Sequence, residues 1–144
     1  MRIIYWLFFD SIKLNFEIKM TENEISRIVL EESISIHRKL GPGLLEKVYQ
    51  EALYHSLIKR GLFVSKEQGI PIVLDEIQID CAYRIDILVE NKVVIEIKSV
   101  ENLHDLHMAQ TLTYLKLGGY KLGLLINFNS TLLKSGIRRL VNNL

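Results

Sequence analysis

Two short runs, Arg84-Ile85-Asp86-Ile87-Leu88-Val89 and Val93-Val94-Ile95-Glu96-Ile97-Lys98, stand on either side of Glu90-Asn91-Lys92. Isoleucine- and valine-rich runs around a short polar linker predict a β-hairpin. Side chains alternate across a strand, so Val94, Glu96 and Lys98 share one face while Val93, Ile95 and Ile97 share the other. With the turn centred on Asn91, antiparallel pairing sets Asp86 opposite Glu96, Arg84 opposite Lys98, and Ile85, Ile87 and Val89 opposite Ile97, Ile95 and Val93. A slip of one residue would scramble that match. The reading therefore sets the polar trio apart from the core.

Like charges directly opposite one another destabilise a sheet, so facing carboxylates need a reason. The commonest chemical reason is a divalent cation held between them. Mg²⁺ suits the pair, because it prefers oxygen ligands and usually takes one or two protein carboxylates; Mn²⁺ is the other candidate. Lys98 points at the same spot, where its compact charge would orient a water or steady a phosphate.

A length of 144 residues predicts one domain able to bury a substantial core. The net charge of +1 excludes a global basic field, so any nucleic-acid binding must use a local patch. With one cysteine, Cys81, the chain has no intramolecular disulfide and no thiolate cluster for zinc, which suits a reducing, cytoplasmic setting. Cys81 itself reads as a small buried apolar residue. The opening segment carries Ile3-Ile4-Tyr5-Trp6-Leu7-Phe8-Phe9 and then Asp10, Lys13, Glu17 and Lys19. It is too short and too charged to span a bilayer, and no small-residue cleavage site follows it. Residues 1–19 are read as an upstream extension from a start codon called too early, and residues 20–144 as the domain.

Thr21-Glu22-Asn23-Glu24 has the form of a capping box, and Ile25, Ile28, Val29, Ser33 and Ile36 recur at helical spacing up to Gly41-Pro42-Gly43. A second helix is expected to bury Leu45, Val48, Tyr49, Ala52, Leu53 and Leu57 and to stop at Gly61. Three strands follow as a meander, over 63–74, 77–89 and 93–100. Asn102 is the expected cap of a helix to about Leu117 with an apolar stripe of Leu106, Ala109, Leu112, Thr113 and Leu117. Residues 121–128 and 137–141 read as further strands. The order predicts an α/β (α+β) fold, a mixed central sheet flanked by helices.

This order, the hairpin and the Asp…Glu-x-Lys pattern together resemble the PD-(D/E)XK nuclease superfamily, whose restriction-endonuclease-like core is αβββαβ. Gly43-Leu44-Leu45-Glu46-Lys47-Val48-Tyr49 is similar to the signature of the GxxExxY proteins, a branch of that superfamily. Leu40-Gly41-Pro42-Gly43, His107-Met108-Ala109-Gln110 with Tyr114-Leu115, and Gly123-Leu124-Leu125-Ile126-Asn127-Phe128 also look like that branch. No Pro precedes Asp86, a departure common in the superfamily. The resemblance implies metal-dependent phosphodiester hydrolysis, with Asp86 and Glu96 as metal ligands and Lys98 at the attacking water. It further implies that Glu46 completes or supports the metal site and that Gln110 lines it.

Each residue also has a plainer reading. Glu96 and Lys98 would otherwise belong to a solvated strand face, and Glu46 would be a first-turn carboxylate favoured by the helix dipole. Tyr49, three residues from Glu46 on the same helical face, either positions Glu46 or touches substrate. His107 and Gln110, also three apart, are expected to contact substrate or to support the site. His104 and His107 lack the intervening Glu of a zinc-protease motif, so a zinc site is not adopted. His37 and Arg38 are either phosphate contacts or helix C-terminal charges, the second being favoured. Lys47, Lys59, Arg60, Lys66, Lys134, Arg138 and Arg139 are candidate phosphate contacts that scattered surface charge also explains.

The expected function is a small Mg²⁺-dependent nuclease, a hydrolase of the endonuclease-like kind. Its expected partner is nucleic acid, DNA ahead of RNA, with no membrane. A homodimer suits the cutting of two strands, and a partner protein is the other option. The alternative is a non-catalytic nucleic-acid-binding or protein-interaction module on the same fold.

Overall fold

The computed structural model describes residues 19–144, and of Cys81 and Ala82 only the backbone. The expectations for residues 1–18 and for the surroundings of Cys81 lie outside the described residues.

Helix α1 (Glu22–Leu40) starts where the capping box predicts. Thr21 Oγ1 accepts from the Glu24 N–H at 3.2 Å, and Glu24 Oε2 accepts from the Thr21 N–H at 2.8 Å. Ile25, Ile28, Val29, Ser33 and Ile36 form its buried face, as spaced. Helix α2 (Glu46–Lys59) buries Tyr49, Gln50, Leu53 and Leu57. Leu45 and Val48, expected on that stripe, are 76% and 42% exposed. Leu45 is the residue before the helix, and Val48 is rotated about 100° from Tyr49, off the narrow strip that the sheet covers. The two helices are clamped by Glu32, which accepts from Ser56 Oγ and, at 2.6 Å, from Arg60 Nη1. The Ser56 hydrogen bond, helped by Arg60, holds the Glu32 carboxyl below its ordinary value despite burial.

The remaining elements are β1 (Val64–Leu74), β2 (Ile77–Val89), β3 (Val93–Lys98), α3 (Asp105–Gly118), β4 (Leu122–Asn127), a 3₁₀ turn (Leu133–Gly136) and β5 (Ile137–Val141). The strands form one sheet in the order β1-β2-β3-β4-β5. All neighbours are antiparallel except β3 and β4, which are parallel and joined through α3, as a parallel pair requires. The meander and both later strands stand as expected.

Helices cover both faces of the sheet. Val93, Ile95 and Ile97 pack with Leu122, Leu124 and Ile126 against Ile25, Val29 and Leu53 of α1 and α2. On the other side Leu88 and Val94 lie under Tyr114 and Leu115 of α3. This corrects the expectation that the polar trio sits apart from the core. Val94 is fully buried and Glu96 is only 5% exposed, because α3 closes that face.

Helix α3 also starts later than expected, at Asp105 with His104 as its cap rather than at Asn102. Its buried residues are Thr111, Tyr114 and Leu115, whereas Leu106, Ala109, Thr113 and Leu117 are exposed. The helix carries apolar residues nearly all round, so its own periodicity does not select a face. Gly123 of β4 does: a Cβ there would lie 3.1 Å from a Leu115 methyl and 3.2 Å from that of Thr111. The bare backbone at Gly123 lets that side of α3 settle on the sheet.

Candidate active site

The hairpin register is the expected one where the ladder exists, with Ile87 opposite Ile95, Leu88 opposite Val94 and Val89 opposite Val93. Beyond Ile87 the ladder gives way to side chains. Asp86 Oδ2 accepts from the Ile97 N–H at 2.8 Å, and Glu96 Oε1 accepts from the Asp86 N–H at 3.2 Å. Asp86 and Glu96 are thus brought together, but as carboxylates that replace ladder bonds, not as a ladder pair. The expected pairing of Arg84 with Lys98 is absent; Arg84 pairs with Gly69 of β1.

Electrostatics set this pair apart. Burial, and then the charge of Asp86, push the Glu96 carboxyl up to about 9. Burial also raises Asp86, more than its Ile97 hydrogen bond and Lys98 lower it. The two carboxyls are within hydrogen-bonding reach of each other, so one proton or one cation between them relieves the repulsion. Lys98 lies close enough for its charge to act on both. Its register partner on β4 is Asn127.

Glu46, the first residue of α2, accepts from the Ser99 N–H at 3.2 Å, just past the end of β3. Its charge reaches Asp86 and His107. Gly43, with φ of 98°, shapes the loop before it. Ser99 Oγ donates to the Leu44 carbonyl at 2.6 Å, and the Leu44 N–H donates to Tyr49 Oη at 3.1 Å. Tyr49 Oη in turn donates to the Gly41 carbonyl at 2.6 Å, while the ring stacks on Phe128 with centroids 4.6 Å apart. The fully buried Tyr49 ring therefore holds the loop that delivers Glu46.

His107 Nδ1 accepts from the His104 N–H at 3.1 Å, which leaves its proton on Nε2. Burial, Lys98 and His104 all lower its pKa, so the ring is neutral at neutral pH. Gln110, one turn further along α3, is half-buried and makes no side-chain hydrogen bond among the described residues.

Three residues to which sequence reasoning gave no role at the site also reach it. Gln50 Nε2 donates to the Asp86 carbonyl at 3.1 Å; its spacing of four from Glu46 was the available signal. Tyr114 is pushed up to about 12 by burial and the nearby charges of Glu96 and Asp86. Asn127 enters only through the parallel pairing of β3 with β4.

Among the described residues no three His, Cys, Asp or Glu side chains gather as a metal shell. The donor set present is the Asp86–Glu96 pair. It fits Mg²⁺, for which two carboxylates are the usual protein share, and a cation there would offset the Asp86 charge that, after burial, raises Glu96.

The candidate phosphate cations divide in two. Lys47 pairs with Glu67 at 2.6 Å, Lys66 with Glu51 at 2.7 Å, and Arg60 with Glu32 and Glu31. Lys59, Lys134 and Arg138 have no carboxylate within ion-pair distance among the described residues, whereas Arg139 lies on the sheet face away from Glu96 and donates to Asn23 Oδ1 at 2.6 Å, which removes it from the candidate phosphate contacts. His37 Nε2 is hydrogen-bonded with the Ser130 carbonyl at 2.7 Å.

A five-strand mixed sheet between helices, with Asp86 of β2 meeting Glu96 and Lys98 of β3 where their ladder ends, has the form of a nuclease-like class. A family model described as the PD-(D/E)XK nuclease superfamily matches residues 23–140, and the chain belongs to that superfamily. Its fold is accordingly the restriction-endonuclease-like one. Neither the curated proteins nor the solved structures returned a match. Among the described residues no helix is long and apolar enough to cross a membrane.

Proposed function

We propose that the chain is a metal-dependent nuclease of the GxxExxY branch, acting on DNA ahead of RNA in a cytoplasmic setting. The branch is inferred from Gly43-Leu44-Leu45-Glu46-Lys47-Val48-Tyr49. The observation that carries the activity is the carboxyl pair of half-buried Asp86 and buried Glu96, with Lys98 beside it. Asp86 and Glu96 would hold Mg²⁺ or Mn²⁺, which would supply Lewis-acid chemistry at the scissile phosphate.

The chain's own groups supply positioning and charge. Gln50 and the Ile97 N–H keep Asp86 in place. Lys98 orients the attacking water and stabilises the hydroxide character that it gains during attack. Neutral His107, with its proton on Nε2, offers a hydrogen bond to a non-bridging phosphate oxygen. Glu46 anchors the start of α2 on Ser99 and adds a carboxylate at the edge of the metal site. Gln110 lines the substrate side, and a homodimer would present two such sites to two strands.

Cleavage of labelled single- and double-stranded DNA and RNA with Mg²⁺ or Mn²⁺ tests this, comparing wild type with Glu96→Gln and Lys98→Ala. The expected result is metal-dependent cutting that drops at least ~100-fold in both variants, with substrate binding retained by Lys98→Ala. A folded wild-type protein that cuts none of the substrates would instead favour the non-catalytic binding or protein-interaction module.

A further inference from the structure

Register partners in a sheet share a face. Glu96 of β3 partners Leu125 of β4, which partners Arg138 of β5, and the next row pairs Lys98 with Asn127. Arg138 therefore stands on the same face as Glu96, two strand spacings or about 10 Å away.

Beside it, at the C-terminal ends of the parallel strands, opens a pocket of about 350 Å³. Open α/β sheets bind ligands at that edge. The pocket is walled by the β3–α3 loop with Asn102, the β4–3₁₀ loop with Asn129, Ser130 and Thr131, and by Ser135 and Arg138.

The walls are held together by buried polar bonds. Asn127, 2% exposed, accepts at Oδ1 from the Val100 and Asn129 N–H groups at 3.0 and 3.2 Å and donates from Nδ2 to the Val100 carbonyl at 2.8 Å. This ties the loop after β3 to the loop after β4. Gly136 lets the 3₁₀ turn close against them, because a Cβ there would come 2.7 Å from the Asn127 carbonyl. His37 reaches from α1 to the Ser130 carbonyl.

The lining suits one class of ligand. It has a guanidinium, three hydroxyls, side-chain amides, one carboxylate in Glu101 and a single large apolar side chain in Leu103. That set excludes an apolar ligand, and one carboxylate is too few for a dedicated cation site. It matches a molecule with an anionic end and several hydrogen-bonding groups. Arg138 directs Nη1 to the Ser135 and Ile137 carbonyls, which fixes the guanidinium plane, and neither it nor neighbouring Lys134 is neutralised by a carboxylate among the described residues.

We propose that this pocket binds one nucleotide of the strand whose phosphodiester lies at Asp86 and Glu96. Arg138, with Ser130 and Thr131, receives its phosphate, and Asn102 and Asn129 read its sugar or base edge. The assignment rests on the nuclease reading and names a substrate contact for it.

The test uses the full chain and short labelled DNA and RNA oligonucleotides. Arg138→Gln/Thr131→Val is compared with Thr131→Val alone and with Arg139→Gln, which removes the same charge from the opposite face, where Arg139 bonds Asn23 of α1. Denaturation midpoints check folding. If wild type cuts, the double variant is expected to raise KM about tenfold with kcat within twofold, while Arg139→Gln leaves both unchanged and Thr131→Val falls between. An unchanged KM in the double variant overturns the pocket and leaves the nuclease reading standing. If wild type does not cut, the nuclease reading fails and oligonucleotide affinity decides. Binding about tenfold weaker in the double variant than in Arg139→Gln upholds the pocket, and equal binding overturns it.

Discussion

Glu96 concentrates the conflict between folding and chemistry. Its carboxyl sits at about 9 in the fold against an ordinary 4.5, so between those values the folded state binds more protons than the unfolded one. Stability from this group is therefore full below about pH 4.5 and falls as pH rises towards 9. Without metal, Glu96→Gln should be more stable than wild type near pH 8, with the difference shrinking near pH 5, as read by urea denaturation at both values. Equal pH slopes in the two proteins would contradict the assignment. Tyr49 has the opposite character, a residue of structure standing inside a functional motif. Tyr49→Phe strands the Gly41 carbonyl and the Leu44 N–H, and should lower stability by ~1–3 kcal/mol in the same assay. It should also reduce cleavage by loosening the loop that carries Glu46.

Among the elements, α3 differs most from its sequence pattern. Its apolar residues run round the helix, and Gly123 on the strand beneath selects Thr111 and Leu115 as the inner side. Leu115→Ala is expected to cost ~2–5 kcal/mol, because it empties a fully buried site. Leu106→Ala, at a residue 68% exposed, should change unfolding free energy by no more than ~0.5 kcal/mol. Similar losses in the two variants would place the helix on its other face. The N-terminus of α1 was legible because its signal is local: Thr21 and Glu24 satisfy each other's backbone N–H groups. The hairpin register was legible for the same reason, since alternating Ile and Val leave one pairing that buries them all.

For the whole molecule, metal binding and folding share the Asp86–Glu96 pair. An ion that binds only the folded state stabilises it by mass action, ~2.7 kcal/mol at a hundred times its dissociation constant. Mg²⁺ should therefore raise the denaturation midpoint of wild type and not that of Glu96→Gln. The effect should grow between about pH 6 and 8, because the ion displaces the proton that Glu96 holds there. The near-neutral chain lacks a long-range basic field, and on the α1–α2 side Lys47, Lys66 and Arg60 are neutralised by carboxylates. Nucleic-acid affinity should thus fall only modestly with salt, with a slope set by a few phosphate contacts; a steep slope would require cations beyond Lys98, Lys134 and Arg138.

Local patterning determined the elements, the capping box, the hairpin register and the meeting of Asp86 with Glu96, because caps and side-chain alternation are written within a few residues. Only tertiary structure decided that α3 covers the Glu96 face, that Gln50 reaches the Asp86 carbonyl, and that Asn127 comes beside Lys98. The first and last follow from the parallel β3–β4 crossover, and the second from how α2 packs against the sheet. Burial by α3 is what turns two ordinary carboxylates into a pair poised between a shared proton and a bound cation.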